Sequence, residues 1–159
     1  MATFRMRAVN SRDIVGTLID IVSDSYVDHV EGDCGTGWLG AHSSGGVQIR
    51  PYDYMTPSLE YIFELEVSEQ LLVETIARAR ALIGTPYNFG AIFGILFHDS
   101  ELTESDHFIC SQYTYEILRM LGFEPLNKDL VKPNMVTPGA LILSPIFCGK
   151  MVKNANRTK

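Results

Sequence analysis

Two residue types in this sequence are suited to nucleophilic catalysis, a cysteine at the start of an amphipathic segment and histidines on predicted strands. After Cys110, apolar residues recur at three- and four-residue steps until Gly122 ends the pattern, which predicts a helix. A thiol at a helix N-terminus gains thiolate character from the unpaired N–H groups there, and the same groups could stabilise an oxyanion. Cys110 is therefore a candidate nucleophile, although a buried structural cysteine also fits this position.

Four histidines are available as a partner base. His98 and His107 lie in a polar stretch before the cysteine, and we interpret them as solvated loop residues. His29 and His42 fall on two predicted strands joined by a tight turn. Antiparallel pairing can bring such side chains within reach of each other and of a helix packed on the sheet. Glu31 shares a strand face with His29, so it is a candidate orienter of the imidazole.

The three cysteines, Cys34, Cys110 and Cys148, are odd in number and widely spaced, which does not suit a disulfide framework. Cys34 could be combined with His29 and His42 as a ligand set, but their spacing matches no common zinc pattern. The chain also has no glycine-rich phosphate loop. We therefore expect free thiols, no metal ion and no cofactor.

The bulk composition limits the classes of protein. The chain has 159 residues, 46% apolar and 20% charged, as expected for one folded domain. A formal net charge of −6 argues against a nucleic-acid-binding surface. The N-terminus has no apolar h-region, and the longest apolar stretch, 89–97, is too short to span a membrane. We expect synthesis in a cytoplasm without a signal peptide, and no stable membrane insertion.

The pattern of apolar residues predicts an α+β domain in which strands come before helices. Ser68 is a good N-cap for the first helix, which Gly84 ends. Residues 12–22 are apolar, and their periodicity fits a strand and a short helix equally. The predicted elements are strands at 26–33, 38–42, 47–50 and 60–67, helices at 69–83, 89–97 and 110–121, and a final strand at 140–143.

Several short motifs occur together in an order known from one family. In this order they resemble the circularly permuted NlpC-like branch of the papain fold, which includes YiiX-like hydrolases and the lecithin–retinol acyltransferase group. In that branch the histidine strand precedes the cysteine helix. The resemblance covers about residues 12–145. The motifs are Tyr26-Val27-Asp28-His29-Val30-Glu31, Gly40-Ala41-His42, Gly46-Val47, Gly84-Thr85-Pro86-Tyr87, Phe108-Ile109-Cys110-Ser111, Thr137-Pro138 and Ser144-Pro145.

The resemblance implies a permuted papain-like fold, with an antiparallel sheet packed against a helix that carries the nucleophile Cys110 at its N-terminus. His29 is then the general base. His42 matches a second histidine of the acyltransferase branch and is the expected third member. Gly40 stands where the YiiX-like pattern has an acid, which leaves Glu31 as the alternative.

Three further positions follow from the resemblance. Tyr87 matches the tyrosine of a loop near the cleft, and Tyr26 is a second candidate for a position at the cleft. Asp28 stands where family members often have Ser or Thr, and the sequence does not indicate the consequence.

The implied activity is that of a cysteine amidase or peptidase that acts on peptidoglycan stem peptides, either in a bacterium or from a phage virion. The alternatives are a lipid-directed thioesterase or acyltransferase, and a non-catalytic structural module such as a phage tail component. We expect a peptide or peptidoglycan-like substrate and, for a phage protein, assembly with other virion proteins. The whole chain, 1–159, is expected to form one domain with its core at 12–145 and a basic tail at 150–159.

Overall fold

The computed structural model describes residues 1–11 and 25–156 and has an α+β architecture built on one antiparallel sheet. The six strands lie in the order β4-β3-β2-β1-β5-β6. The predicted fold class is confirmed at this level, while the ambiguous segment 12–22 falls outside the described residues. The strands are β1 (Ala2–Asn10), β2 (His29–Asp33), β3 (Trp38–His42), β4 (Gly46–Arg50), β5 (Leu59–Val67) and β6 (Met151–Asn156).

The first three described helices begin where the sequence predicts. Ser68 caps the first helix by accepting a hydrogen bond from Leu71 N at 3.2 Å. Asn88 caps the second by accepting from Ala91 N at 2.8 Å. Gly122 follows the third with φ of +86°, a conformation that glycine adopts without strain. The described helices are α1 (Glu69–Arg80), α2 (Phe89–Phe97), α3 (Cys110–Met120) and α4 (Pro138–Ile142).

The final strand predicted at 140–143 is wrong, because this segment lies in α4. Thr137 accepts a hydrogen bond from Ala140 N at 3.1 Å, and Pro138 occupies the first turn. These two helix-start signals decide the structure of an apolar run too short to show periodicity. The last strand of the sheet is instead β6, which pairs with β5 and belongs to the segment expected to be a tail.

The central strand of the sheet, β1, is missing from the sequence prediction. It pairs antiparallel with β2 on one side and with β5 on the other. Phe4, Met6 and Ala8 point into the core, whereas Arg5 and Arg7 alternate with them on the opposite face. Because β1 and β6 both lie outside 12–145, the sheet extends beyond the expected core at both ends.

Helix α3 packs against β2 and β3 through its apolar side. Gly32 of β2 makes this approach close, since a Cβ at that position would lie 2.8 Å from the Phe4 ring and 3.9 Å from Ile117 Cδ1. Thr114 adds a hydrogen bond of 3.4 Å from its hydroxyl to the Val30 carbonyl. These contacts hold the first residue of α3, Cys110, over the strand that carries the histidine.

Candidate active site

Strands β2 and β3 bring the two strand histidines together. The register pairs Gly32 with Leu39, and its continuation places Glu31 opposite Gly40 and His29 opposite His42. The two imidazole rings lie 4.6 Å apart between centroids with an interplanar angle of 34°. The predicted hairpin therefore gives the histidine pair that the sequence suggested.

A loop at 84–88 connects the sheet to the start of α3. On one side a backbone N–H of β4 donates to the Thr85 carbonyl at 2.8 Å. On the other side the loop forms a parallel bridge with Phe108, two residues before Cys110. Gly46 permits this approach, because its φ is +67° and a Cβ there would collide with the Thr85 carbonyl oxygen. The loop thus fixes the cysteine relative to the sheet.

Cys110 lies at the N-terminus of α3 and is 1% exposed. Its Sγ is 3.9 Å from the carbonyl oxygen of Asp28, the residue directly before His29. Ile109 is the N-cap residue, and its side chain makes no capping hydrogen bond. The N–H groups of this first turn can therefore stabilise an anion formed next to the thiol.

The imidazole of His29 lies between a thiol and a carboxylate. Burial lowers the pKa of His29, but a hydrogen bond and charge interaction with Cys110, followed by those with Glu31, raise it to about 10. His29 Nε2 is 3.3 Å from Glu31 Oε2. Both neighbours therefore favour the charged form of the His29 ring.

Glu31 is fully buried and accepts from several donors. Arg7 Nη1 lies 3.1 Å from Oε1, and the Tyr54 hydroxyl donates to Oε2 at 3.1 Å. A Cβ at Gly40 would lie 3.1 Å from Glu31 Cβ. The carboxylate of Glu31 thus lies directly beside Gly40.

His42, the expected third member of the catalytic triad, is positioned differently from Glu31 relative to His29. Its ring is close to that of His29, but its Nε2 lies 3.7 Å from Glu31 Oε2 and has no hydrogen-bond partner among the described residues. Burial and the charges of His29 and Arg50 lower the pKa of His42 to about 2, so the ring is neutral. The direct polar contact with His29 Nε2 comes from Glu31, the alternative named from the sequence.

A cavity of about 130 Å³ opens beside the histidines. Tyr87 lines it, whereas the Tyr26 side chain is 84% exposed and is not part of the wall. Cys110 is not among the lining residues either. The wall consists of Ser11, Asp28, His29, His42, Ser43, Ser44, Arg50, Tyr54, Met55 and Tyr87.

Asp28, the residue directly before His29, has a structural role. Its carboxylate accepts hydrogen bonds from Ser11 N at 2.7 Å and from the Ser11 hydroxyl at 2.9 Å. Its own N–H donates to the Val9 carbonyl at 3.0 Å. Through these bonds Asp28 links the start of β2, at His29, to the end of β1.

The other candidate ligands and nucleophiles lie away from this cavity wall. His98 ends α2 with φ of 55°, and His107 Nδ1 lies 2.7 Å from the Ser105 carbonyl oxygen. Cys34 donates its thiol to the Gly37 carbonyl at 3.2 Å, and Cys148 is exposed. The sequence suggested Cys34, His29 and His42 as a possible ligand set, whereas the structure groups the two histidines with Glu31. In the described chain, the ligand atoms of His29, Glu31 and His42 lie within 4.8 Å of one another.

Sequence reasoning missed Arg7 and Tyr54, which hold Glu31 in place. Arg7 lies on a strand that was not predicted, and Tyr54 follows β4 in a loop. The alternation of apolar and charged residues from Phe4 to Ala8 was the available signal for the strand.

Comparisons with known proteins leave the family open. No family model matches the chain, and no curated protein matches it. Within residues 1–11 and 25–156, none of the helices combines the length and apolar character that crossing a membrane requires.

Replacing Arg7 with Met should destabilise the protein by about 3–5 kcal/mol, because it leaves buried Glu31 and nearby Glu60 without their shared cation. The Met side chain retains the apolar volume of the arginine stem. Arg5→Met is the matched control on the same strand, since its ion pair with Glu64 is solvent-exposed and contributes about 0–1 kcal/mol. Urea unfolding measures both. Equal losses in the two variants would contradict the role of Arg7.

Proposed function

We propose that this chain is a cysteine hydrolase with a permuted papain-like fold, in which Cys110 attacks an amide carbonyl. One observation carries the proposal: Cys110 Sγ lies 3.9 Å from the carbonyl oxygen of Asp28, the residue directly before His29, and His29 Nε2 lies 3.3 Å from the carboxylate of Glu31. A nucleophile, a base and an orienting carboxylate in this sequence are what acyl transfer through a thiolate requires.

Nδ1 of His29, the nitrogen that Glu31 does not contact, takes the thiol proton of Cys110. The thiolate forms a bond to the carbonyl carbon, and N–H groups at the start of α3 stabilise the resulting oxyanion. The imidazolium then protonates the leaving amine as the C–N bond breaks. His29 next removes a proton from water, which attacks the thioester and releases the acid and the free thiol.

Burial of the nucleophile sets a condition on this mechanism. Cys110 is 1% exposed, and the cavity is lined by His29 and His42 but not by the thiol. A substrate carbonyl can reach Sγ only if neighbouring groups move and extend the cavity of about 130 Å³ towards it. We therefore expect the resting enzyme to be closed.

Arg50 favours a substrate that carries a carboxylate. Its guanidinium lines the cavity, lies 5.1 Å from the centre of the Tyr54 ring and donates to the Ser44 carbonyl at 3.2 Å. Within the described part of the chain, no carboxylate lies within ion-pair distance of it. Stem peptides of peptidoglycan present carboxylates beside amide bonds, so a peptidoglycan amidase or peptidase is the preferred assignment.

A lipid-directed thioesterase or acyltransferase is the second candidate, and the surface of α2 favours it. Phe93 and Phe97 lie one turn apart and are 53% and 67% exposed, with Leu96 beside them. Phe89 continues this face and contacts Tyr87, a residue of the cavity wall, at 5.1 Å between ring centroids. An exposed apolar face that leads to a cavity is suited to an acyl chain.

Alkylation with iodoacetamide in a Cys148→Ser background should modify Cys110 faster than Cys34, by at least about tenfold. Both thiols are buried, and Cys34 in addition lines an open cavity, so a faster reaction at Cys110 cannot come from greater exposure. His29→Ala should remove the difference, since the base is lost. Mass spectrometry of the digested protein measures both sites. Equal rates in the parent, together with no turnover of any substrate tested below, would contradict an activated thiol and favour a non-catalytic module.

Purified peptidoglycan should be cleaved by the wild type and not by Cys110→Ser, with soluble peptides measured by chromatography. Phospholipid and thioester substrates are run in parallel. If they are turned over instead, and Phe93→Ser with Phe97→Ser abolishes that turnover, the lipid assignment replaces the peptidoglycan assignment. Absence of turnover on every substrate, together with a slow Cys110, would contradict a hydrolase.

Removing the carboxylate in Glu31→Gly should lower turnover by at least about tenfold, because His29 loses its orienting partner. The double variant Glu31→Gly with Gly40→Glu should recover part of it, since the two positions lie opposite each other across β2 and β3. Glu60→Gln, which alters the other carboxylate bound by Arg7, is the control and should stay close to wild type. A fully active Glu31→Gly would exclude the orienting role.

A further inference from the structure

One buried polar atom in the site has no role in the proposed mechanism. His42 is 6% exposed, and its Nε2 finds no hydrogen-bond partner within the described residues. A buried nitrogen without a partner is energetically unfavourable. This nitrogen lies at the edge of a cavity, and a carboxylate oxygen is 3.7 Å away. Such an environment suits a metal ligand.

The spacing of three donor atoms fits one small ion. His29 Nε2 and His42 Nε2 lie 3.3 Å and 3.7 Å from Glu31 Oε2. A tetrahedral zinc ion with ligand bonds of about 2.0–2.2 Å has ligand-to-ligand edges of about 3.3–3.6 Å. Two edges of the tetrahedron are therefore nearly formed. The third is no longer than 4.8 Å and needs a small side-chain adjustment.

The surroundings leave room and charge for the ion. Arg7 binds the other carboxylate oxygen of Glu31, Oε1, and its charge is met by Glu60 at 2.7 Å. Gly40 adds no side chain beside Glu31 and His42. Both imidazoles line the cavity, so a water molecule there can complete the coordination, as in zinc sites with three protein ligands.

We propose that His29, Glu31 and His42 form a binding site for a divalent transition-metal ion, with zinc as the best match. Binding replaces the contact between His29 Nε2 and Glu31 with a bond to the ion. A positive charge on one nitrogen of the ring opposes protonation of the other, so the ion stops His29 from accepting the proton of Cys110. Only this inhibitory effect rests on the proposed function, whereas the metal site itself rests on the geometry of the three side chains.

The test is titration of the untagged protein with Co²⁺, followed by visible absorption and by competition with Zn²⁺. Wild type and Cys110→Ser should each bind one ion per chain with equal affinity, and neither spectrum should contain a thiolate-to-cobalt charge-transfer band. His42→Phe, which keeps the ring and removes the nitrogen ligand, should bind at least about tenfold more weakly. His107→Ala, a surface histidine 3.5 Å from Glu104, is the control and should bind as wild type.

Thermal unfolding monitored by circular dichroism shows whether His42→Phe is folded, and Glu31→Gln is the second ligand variant if it is not. The proposal is overturned by the absence of binding in wild type or by wild-type affinity in a folded ligand variant. Loss of binding in Cys110→Ser, with a thiolate band in the parent, would place the ion on the cysteine instead. Because Cys110→Ser cannot turn over substrate, metal binding by this variant is measured independently of any hydrolase activity. If the protein binds the ion through His42 but turns over no substrate, the metal site is supported and the proposed hydrolase function is contradicted.

Discussion

The buried carboxylate of Glu31 is the constraint on which the rest of the site depends. A charge removed from water is costly unless donors surround it, and here Arg7, Tyr54 and His29 supply them. Each donor comes from a different place in the chain. β1, the loop after β4 and β2 itself must therefore be correctly assembled before the carboxylate is satisfied.

This requirement explains the arrangement of the sheet around the site. β1 lies between β2 and β5, so Arg7 can reach Glu31 on one side and Glu60 on the other. The opposite face of β1 carries Phe4, which packs below Gly32 and near Ile117 of α3. One strand thus supports the carboxylate on one face and the cysteine helix on the other, which couples the position of Cys110 to that of Glu31.

The same three side chains are suited to two uses that exclude each other. With a proton on His29, the carboxylate of Glu31 stabilises the imidazolium. With a metal ion between His29, Glu31 and His42, the imidazole becomes a ligand and ceases to be a base. His42, which makes no hydrogen bond through Nε2 within the described structure, distinguishes the two uses.

The sequence by itself determined the local features: the helix that begins at Cys110, the strands of His29 and His42, and the α+β class. These depend on periodicity and caps within a few residues, which a single chain displays directly. Only the tertiary structure decided that Glu31 contacts His29 Nε2, that Arg7 and Tyr54 hold it, and that β1 and β6 extend the sheet. Those outcomes depend on pairings between distant segments, such as Arg7 with Glu31 and β5 with β6, and on burial, which local sequence patterns do not encode.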